Sequence, residues 1–335
     1  MKNRSIAQFL VCVTALGGLV PIGCGGDGGG AGDAGTDAGT DTDTDADTDA
    51  DTDIDGGSDS DEGCPTDQLA PGDYGFTLEH DGETREYNVH VPSRDDTSVP
   101  MPLVVNFHGY TSNMNEQEAW TGMDATADSG GFVVAYPNGL VNSSDGYSSW
   151  NAGEYCCAYG DTDRDDIGFV RALVEQLSSE ACIDAKRIYS TGFSNGGYMS
   201  HTLGCYASDL FAAIAPVAGA IAFPAAECTP SRPMPVLQIH GTADSTVDFA
   251  YGEAAVEKWR GLDGCTGDAV ETYQNGDATC DTYEVCDDGA VVTLCSIAGL
   301  DHCWPGVLYC PAGSPTTDLV ANDVIWAFFQ QFSLP

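Results

Sequence analysis

Ser194 stands between Gly192 and Gly196 in the run RIYSTGFSNGGYMS, residues 187–200. The spacing G-x-S-x-G has a mechanical meaning. A strand that turns sharply into a helix holds the serine hydroxyl clear of the backbone. Neighbouring chains pass so close that side chains at the flanking glycines would clash. An apolar, β-type stretch precedes Ser194 and a helix-like stretch follows it, which is the context such a turn needs.

A serine hydroxyl is a weak nucleophile without a base. In a sheet of this kind the partners follow in the order serine, acid, histidine. Of the six histidines, His80, His90 and His108 precede Ser194. His201 would be carried away from the hydroxyl along the following helix, and His240 precedes the acid. His302, in the loop GLDHCWPG, is the expected base. Asp244, in HGTAD, is the expected acid, with Asp248 as the near alternative. A carboxylate there would fix the imidazole tautomer and stabilise the imidazolium formed during reaction. Singly these residues read as a turn serine, a helix cap and a loop histidine; together, in this order and at strand ends, they read as a triad. Two backbone N–H groups should form the oxyanion hole. One is the amide of Asn195. The other is the amide of Tyr110, or of Thr111, after the strand ending at His108-Gly109. His108 itself is expected to support that loop and to take no part in proton transfer.

The elements that must position these residues are legible as an alternation. Strand-like runs cover Arg85–Val91, Pro102–Phe107, Phe132–Tyr136, Arg187–Tyr189, Ala212–Val217, Pro235–Ile239 and Val291–Ile297. Helix-like stretches cover Asn115–Ser129, Ile167–Glu180, Asn195–Cys205, Tyr251–Arg260 and Asp318–Phe332. Several strands lack polar alternation, as strands buried on both faces do. The pattern predicts an α/β domain with a mostly parallel sheet flanked by helices. Function in such sheets gathers at the carboxyl ends of the strands.

Eight segments together resemble the secreted feruloyl-esterase and polyhydroxybutyrate-depolymerase branch of the α/β-hydrolases: NFHGYTSN, GFVVAYPNG, SSWNAG with the following CC, DDIGFVRAL, RIYSTGFSNGGYMS, FAAIAPVAG, HGTADSTV and GLDHCWPG. The resemblance runs from about residue 70 to the C-terminus. It implies an α/β-hydrolase fold and a serine carboxylesterase that needs no cofactor, with Ser194 as nucleophile, Asp244 as acid and His302 as base. Asp301 stands where this family usually has Gly, a departure that implies a shifted pH–activity curve. Trp304 and Trp150 are the expected substrate-binding rings, with core packing as the alternative for both. With no separate substrate-binding module visible, hydroxycinnamoyl esters of plant polysaccharide are favoured. Polyester depolymerisation and acetylxylan deacetylation are the alternatives, and a non-catalytic surface binding protein on the same fold is a further one.

Residues 1–24 read as a signal segment, with a short basic start, an apolar run from Ile6 to Ile22, and Gly23-Cys24. Cys24 is the expected lipidation site, so contact with a membrane would come only through that anchor. Residues 25–62 are rich in Asp, Gly and Thr and hold no Lys or Arg. Such a segment cannot bury enough apolar surface to fold and reads as an extended tether. Asp51, Asp53, Asp55, Gly56 and Glu62 fit a calcium-loop spacing, but an Asp-Thr repeat produces that match by composition, and Ser58 replaces the apolar anchor. Neither this segment nor the rest of the chain is expected to hold a metal. Residues 63–335 form the expected catalytic domain. Net charge is −41, which argues against phosphate-mediated nucleic-acid binding. A monomer is expected. Of 14 cysteines, 12 follow Cys24; an even number in an exported chain implies disulfides. Cys303 and Cys310 bracket a turn beside His302 and are expected to pair. The adjacent Cys156 and Cys157 are expected to bond to different partners.

Overall fold

Four strands whose residues are buried throughout lie in the middle of the sheet: β3 (Met101–Phe107), β4 (Val133–Pro137), β8 (Ala213–Val217) and β9 (Val236–Gly241). Their near-continuous apolar runs leave no face for water, and helices cover both sides. The computed structural model describes residues 64–335, which fall in one compact unit. The signal segment, Cys24 and the tether lie outside the described residues.

The remaining strands are β1 (Gly72–His80), β2 (Glu83–Val91), the short pair β5 (Leu140–Val141) and β6 (Ser148–Ser149), β7 (Ile183–Phe193), β10 (Val270–Asn275), β11 (Ala278–Tyr283) and β12 (Val292–Ile297). Ten strands join in the order β1-β2-β4-β3-β7-β8-β9-β12-β11-β10. The run from β4 to β12 is parallel. Antiparallel strands close both edges.

The helices are α1 (Met114–Thr121), α2 (Met123–Gly130), α3 (Asp166–Glu180), α4 (Asn195–Tyr206), α5 (Phe249–Leu262) and α6 (Ala321–Phe329). In α3, Phe169, Val170, Leu173, Val174 and Leu177 recur at helical spacing and are buried. Asp165 caps its start, accepting from the Gly168 amide at 2.8 Å. These residues pack with Ile188 of β7 on one sheet face. Tyr189, the next residue, packs with Phe132, Ile325 and Phe329 on the other. The single helix expected over Asn115–Ser129 is two helices. Gly122 adopts a left-handed φ of 58° and ends α1, a conformation glycine takes at no steric cost.

Six disulfides join Cys64–Cys182, Cys156–Cys157, Cys205–Cys228, Cys265–Cys286, Cys280–Cys295 and Cys303–Cys310. The expected Cys303–Cys310 bridge is present. The expectation for Cys156 and Cys157 is corrected, because they bond to each other. All the cysteines from Cys64 onward are paired, as in an extracellular protein.

A buried charge cluster ties the loop between β4 and α3 to the sheet. Arg85 donates to Asp166 Oδ1 at 2.8 Å, and its guanidinium lies 3.8 Å from the centroid of the Phe169 ring. Asp166 Oδ2 accepts from the Asn151 amide at 2.7 Å and from Arg164 Nε at 3.1 Å. Arg164 also donates to the carbonyls of Leu140 and Ser149. Removing the carboxylate would strand two cations, a loss of about 3–5 kcal/mol when a buried pair is broken. Asp166→Ala is therefore expected to lower the urea midpoint strongly with an unchanged m-value; an unchanged midpoint would contradict this role.

Asp263 at the end of α5 is buried. Its Oδ1 accepts from the Met234 amide at 2.9 Å, while Oδ2 has no partner. Burial pushes its pKa up to about 7. The folded protein therefore holds a proton that the unfolded chain releases near the ordinary carboxylate pKa of about 4. The stability from this proton is full below about pH 4 and is lost as pH rises towards 7. Asp263→Asn keeps the acceptor for Met234 and removes this dependence. At pH 8 its melting temperature should exceed that of the wild type, with the gap closing at pH 4.

Candidate active site

Ser194 sits immediately after β7, at the carboxyl end of a parallel strand. Its φ of 54° and ψ of −118° are strained for a residue with a side chain. The Ser194 amide is held by Val217 O at 2.9 Å, and α4 begins at Asn195. The two motif glycines are required here. A Cβ on Gly192 would lie 2.7 Å from Phe107 O, and one on Gly196 would collide with the same carbonyl.

Asp244 follows β9 and His302 follows β12, both at the same end of the sheet as Ser194. His302 Nδ1–H donates to Asp244 Oδ2 at 2.8 Å. Asp244 Oδ1 accepts from the amides of Thr246 and Val247, each at 2.8 Å. His240 Nε2 lies 3.4 Å from Asp244 Oδ2. Burial alone would raise the Asp244 pKa; hydrogen bonds from His240, His302 and the Val247 amide outweigh it and hold the carboxyl well below the usual range. The alternative acid, Asp248, caps α5, accepting from the Ala250 amide at 3.0 Å.

Ser194 and His302 line a single cavity of about 710 Å³, together with Tyr110, Trp120, Phe193 and Tyr309. The Phe193 ring lies 4.6 Å from the imidazole of His302. The Trp120 ring stands edge-on to Phe193 at 4.7 Å, and its Nε1–H donates to Tyr309 O at 2.8 Å.

Thr111 also lines this cavity and has a φ of 71°, unusual for a β-branched residue. Its amide is spent on Ser148 O at 2.9 Å. Of the two amides expected from this loop, that leaves Tyr110. His108 beneath them is buried. It accepts from the Gly139 amide at Nε2 and donates from Nδ1 to Gly109 O, both at 2.8 Å. Burial lowers its pKa to about 4, so it stays neutral in a fixed tautomer that braces the loop. His201 is a core residue, linked to Gln238 and to the indole N–H of Trp259.

Trp150 and Trp304 are corrected as substrate-binding rings. Both are fully buried, at 0% and 1% exposure. Trp304 donates to Asn322 Oδ1 at 3.0 Å and packs in the core. Trp150 stands edge-on to Phe107 and donates to His108 O at 3.0 Å. Its backbone clamps the Asn195 side chain, donating to Oδ1 at 2.7 Å and accepting from Nδ2 at 3.1 Å. Besides Tyr110, the cavity rings are Trp120, Phe193 and Tyr309, to which the motifs assigned no role. The only signal for Trp120 was a tryptophan on the first helix after the His108-Gly109 strand.

Asp301 joins two of the site's loops. Its Oδ1 accepts from the amide and hydroxyl of Ser245 at 2.7 and 2.8 Å, and from the His302 amide at 2.8 Å. The carboxylate thus clasps the Asp244 loop to the His302 loop. Among the described residues, no group of three or more His, Cys, Asp or Glu is placed to hold a metal ion.

Residues 86–256 match the family model described as esterase PHB depolymerase. The chain belongs to that family. It is 32% identical over 269 residues to feruloyl esterase B of Piromyces equi, covering 75% of this chain and 46% of that protein. It is 28% identical over 258 residues to the bifunctional acetylxylan esterase/xylanase XynS20E of Neocallimastix patriciarum, covering 76% of this chain and 34% of that one. The chain therefore spans less than half the length of these two relatives. Among solved structures, the acetyl xylan esterase from Aspergillus awamori aligns with a TM-score of 0.55 and 15% identity over 73% of this chain and 94% of that one, a likeness of fold. The esterase family and the α/β-hydrolase architecture thus agree with the sequence motifs.

Proposed function

We propose that this protein is an extracellular serine carboxylesterase that cleaves hydroxycinnamoyl esters of plant cell-wall polysaccharide. Ser194 Oγ attacks the ester carbonyl carbon, and His302 Nε2 takes its proton. Asp244 holds Nδ1–H and stabilises the imidazolium. The amides of Asn195 and Tyr110 donate to the oxyanion. Collapse of the tetrahedral intermediate breaks the C–O bond, and His302 returns the proton to the departing alcohol. Water then attacks the acyl-enzyme by the same route, releasing the carboxylic acid and free Ser194.

The observation that carries the substrate class is the aromatic wall of Trp120, Phe193 and Tyr309 in the cavity that Ser194 lines. A volume of about 710 Å³ is far more than an acetyl group fills and suits a flat phenolic acyl group. The name of the Piromyces relative supports the same reading. Through Cys24 and the tether of residues 25–62, the enzyme would be held to a cell surface.

A panel of methyl ferulate, methyl coumarate, acetylated xylan and short hydroxybutyrate oligomers tests this. The hydroxycinnamates should show the highest kcat/KM. Preference for acetylated xylan or for the oligomers would replace the proposed substrate with that class.

A further inference from the structure

Tyr110 lines the same cavity as Trp120, and its ring meets two further tyrosines. Tyr147 and Tyr159 both stand edge-on to it, each with its centroid 5.9 Å away. Unlike Trp150 and Trp304, these rings are open to solvent, at 52% for Tyr147 and 51% for Tyr159.

The loops that carry them are fixed by their own hydrogen bonds. Asp145 accepts from the Tyr110 hydroxyl at 2.6 Å and from the Tyr147 amide at 3.0 Å. Asp161 accepts from the amide and hydroxyl of Ser143 at 2.6 and 2.7 Å, joining the Tyr147 loop to the Tyr159 loop. The Tyr159 amide donates to Cys157 O at 2.9 Å. Behind them, Tyr110 packs on Cys156, Cys157 and Ala222. Three aromatic rings are thus held together, one lining the cavity of Ser194 and two exposed to solvent.

We propose that Tyr110, Tyr147 and Tyr159 form a platform for the sugar chain that carries the ester. This assignment rests on the esterase reading above, and divides the site. The acyl group lies against Trp120 and Phe193, and the alcohol side runs out over the tyrosines. The negative faces of aromatic rings attract the C–H groups of pyranose rings, while phenol hydroxyls and the carboxylates at Asp145 and Asp161 match sugar hydroxyls. The platform is continuous with the cavity through Tyr110, which lines it. The occupant is a neutral polysaccharide, because a chain of net charge −41 repels an anionic one.

The experiment uses native gels cast with soluble neutral arabinoxylan or with polygalacturonate, and kinetics on methyl ferulate and a feruloylated arabinoxylan oligosaccharide. Neutral arabinoxylan should retard the wild-type protein and its Ser194→Ala form, and polygalacturonate should not. Tyr147→Ala/Tyr159→Ala should lose the retardation, and its ratio of kcat/KM for the oligosaccharide over methyl ferulate should fall about tenfold. Tyr147→Phe/Tyr159→Phe, which keeps the rings, should retain most of both and guards against a folding defect. An unretarded wild type, stronger retardation by polygalacturonate, or a double alanine variant that behaves as wild type would each overturn the platform. If feruloyl esters are not hydrolysed but retardation still depends on the tyrosines, the esterase substrate is wrong and the platform stands.

Discussion

Ser194→Ala should abolish ester turnover, with kcat reduced by on the order of 10⁴-fold or more. The loss is that large because the hydroxyl is the only proposed group that bonds to substrate carbon. His302 then has no proton to take, and Asp244 no imidazolium to stabilise. Only binding and the oxyanion donors remain. The variant should fold normally, since an elbow with φ of 54° strains alanine no more than serine. A fluorophosphonate probe should label the wild type at Ser194 and leave the variant unlabelled. Retention of more than a tenth of the wild-type rate, or an unlabelled wild type, would return the protein to the reading of a non-catalytic binder on this fold.

The second large effect concerns a single oxygen. In Asp244→Asn, Oδ1 must remain an acceptor for the Thr246 and Val247 amides, both at 2.8 Å. The amide nitrogen then replaces Oδ2 and presents N–H to His302 Nδ1, now 2.8 Å away. Nδ1 must become an acceptor, which moves the ring proton to Nε2. An imidazole in that tautomer cannot take the serine proton. A loss of about 10⁴-fold in kcat with little change in KM is expected, as for a triad whose orienting carboxylate becomes an amide. Asp248→Asn is the control. It alters only the cap on α5, and its kcat should stay within a few-fold of wild type. Equal losses in the two variants would reject Asp244 as the orienting acid.

Both predictions pass through parts that one-dimensional pattern could show. The glycines at 192 and 196 report a steric fact about one turn, and that turn is local. The order of Ser194, Asp244 and His302 reports which parallel strands end at the same side. Continuous apolar runs reported strands buried on both faces, and every such run lies in the sheet. What the pattern missed was polar. β1 alternates buried and open residues along GDYGFTLEH, and β10 is almost wholly exposed. Edge strands carry little apolar signal because one side has no neighbour.

The sequence by itself determined the elbow, the candidates for acid and base, and the parallel core, because each follows from local sterics or from chain order. The tertiary structure alone decided which tryptophan lines the cavity. Trp120 lies on the cavity while Trp150 and Trp304 are buried, since an indole packs in a core or lines a pocket with the same composition around it. It also decided the bridges Cys64–Cys182, Cys205–Cys228, Cys265–Cys286 and Cys280–Cys295 and the clasp made by Asp301 to Ser245. Those depend on distances between residues far apart in the chain, which only the packing of the whole domain sets.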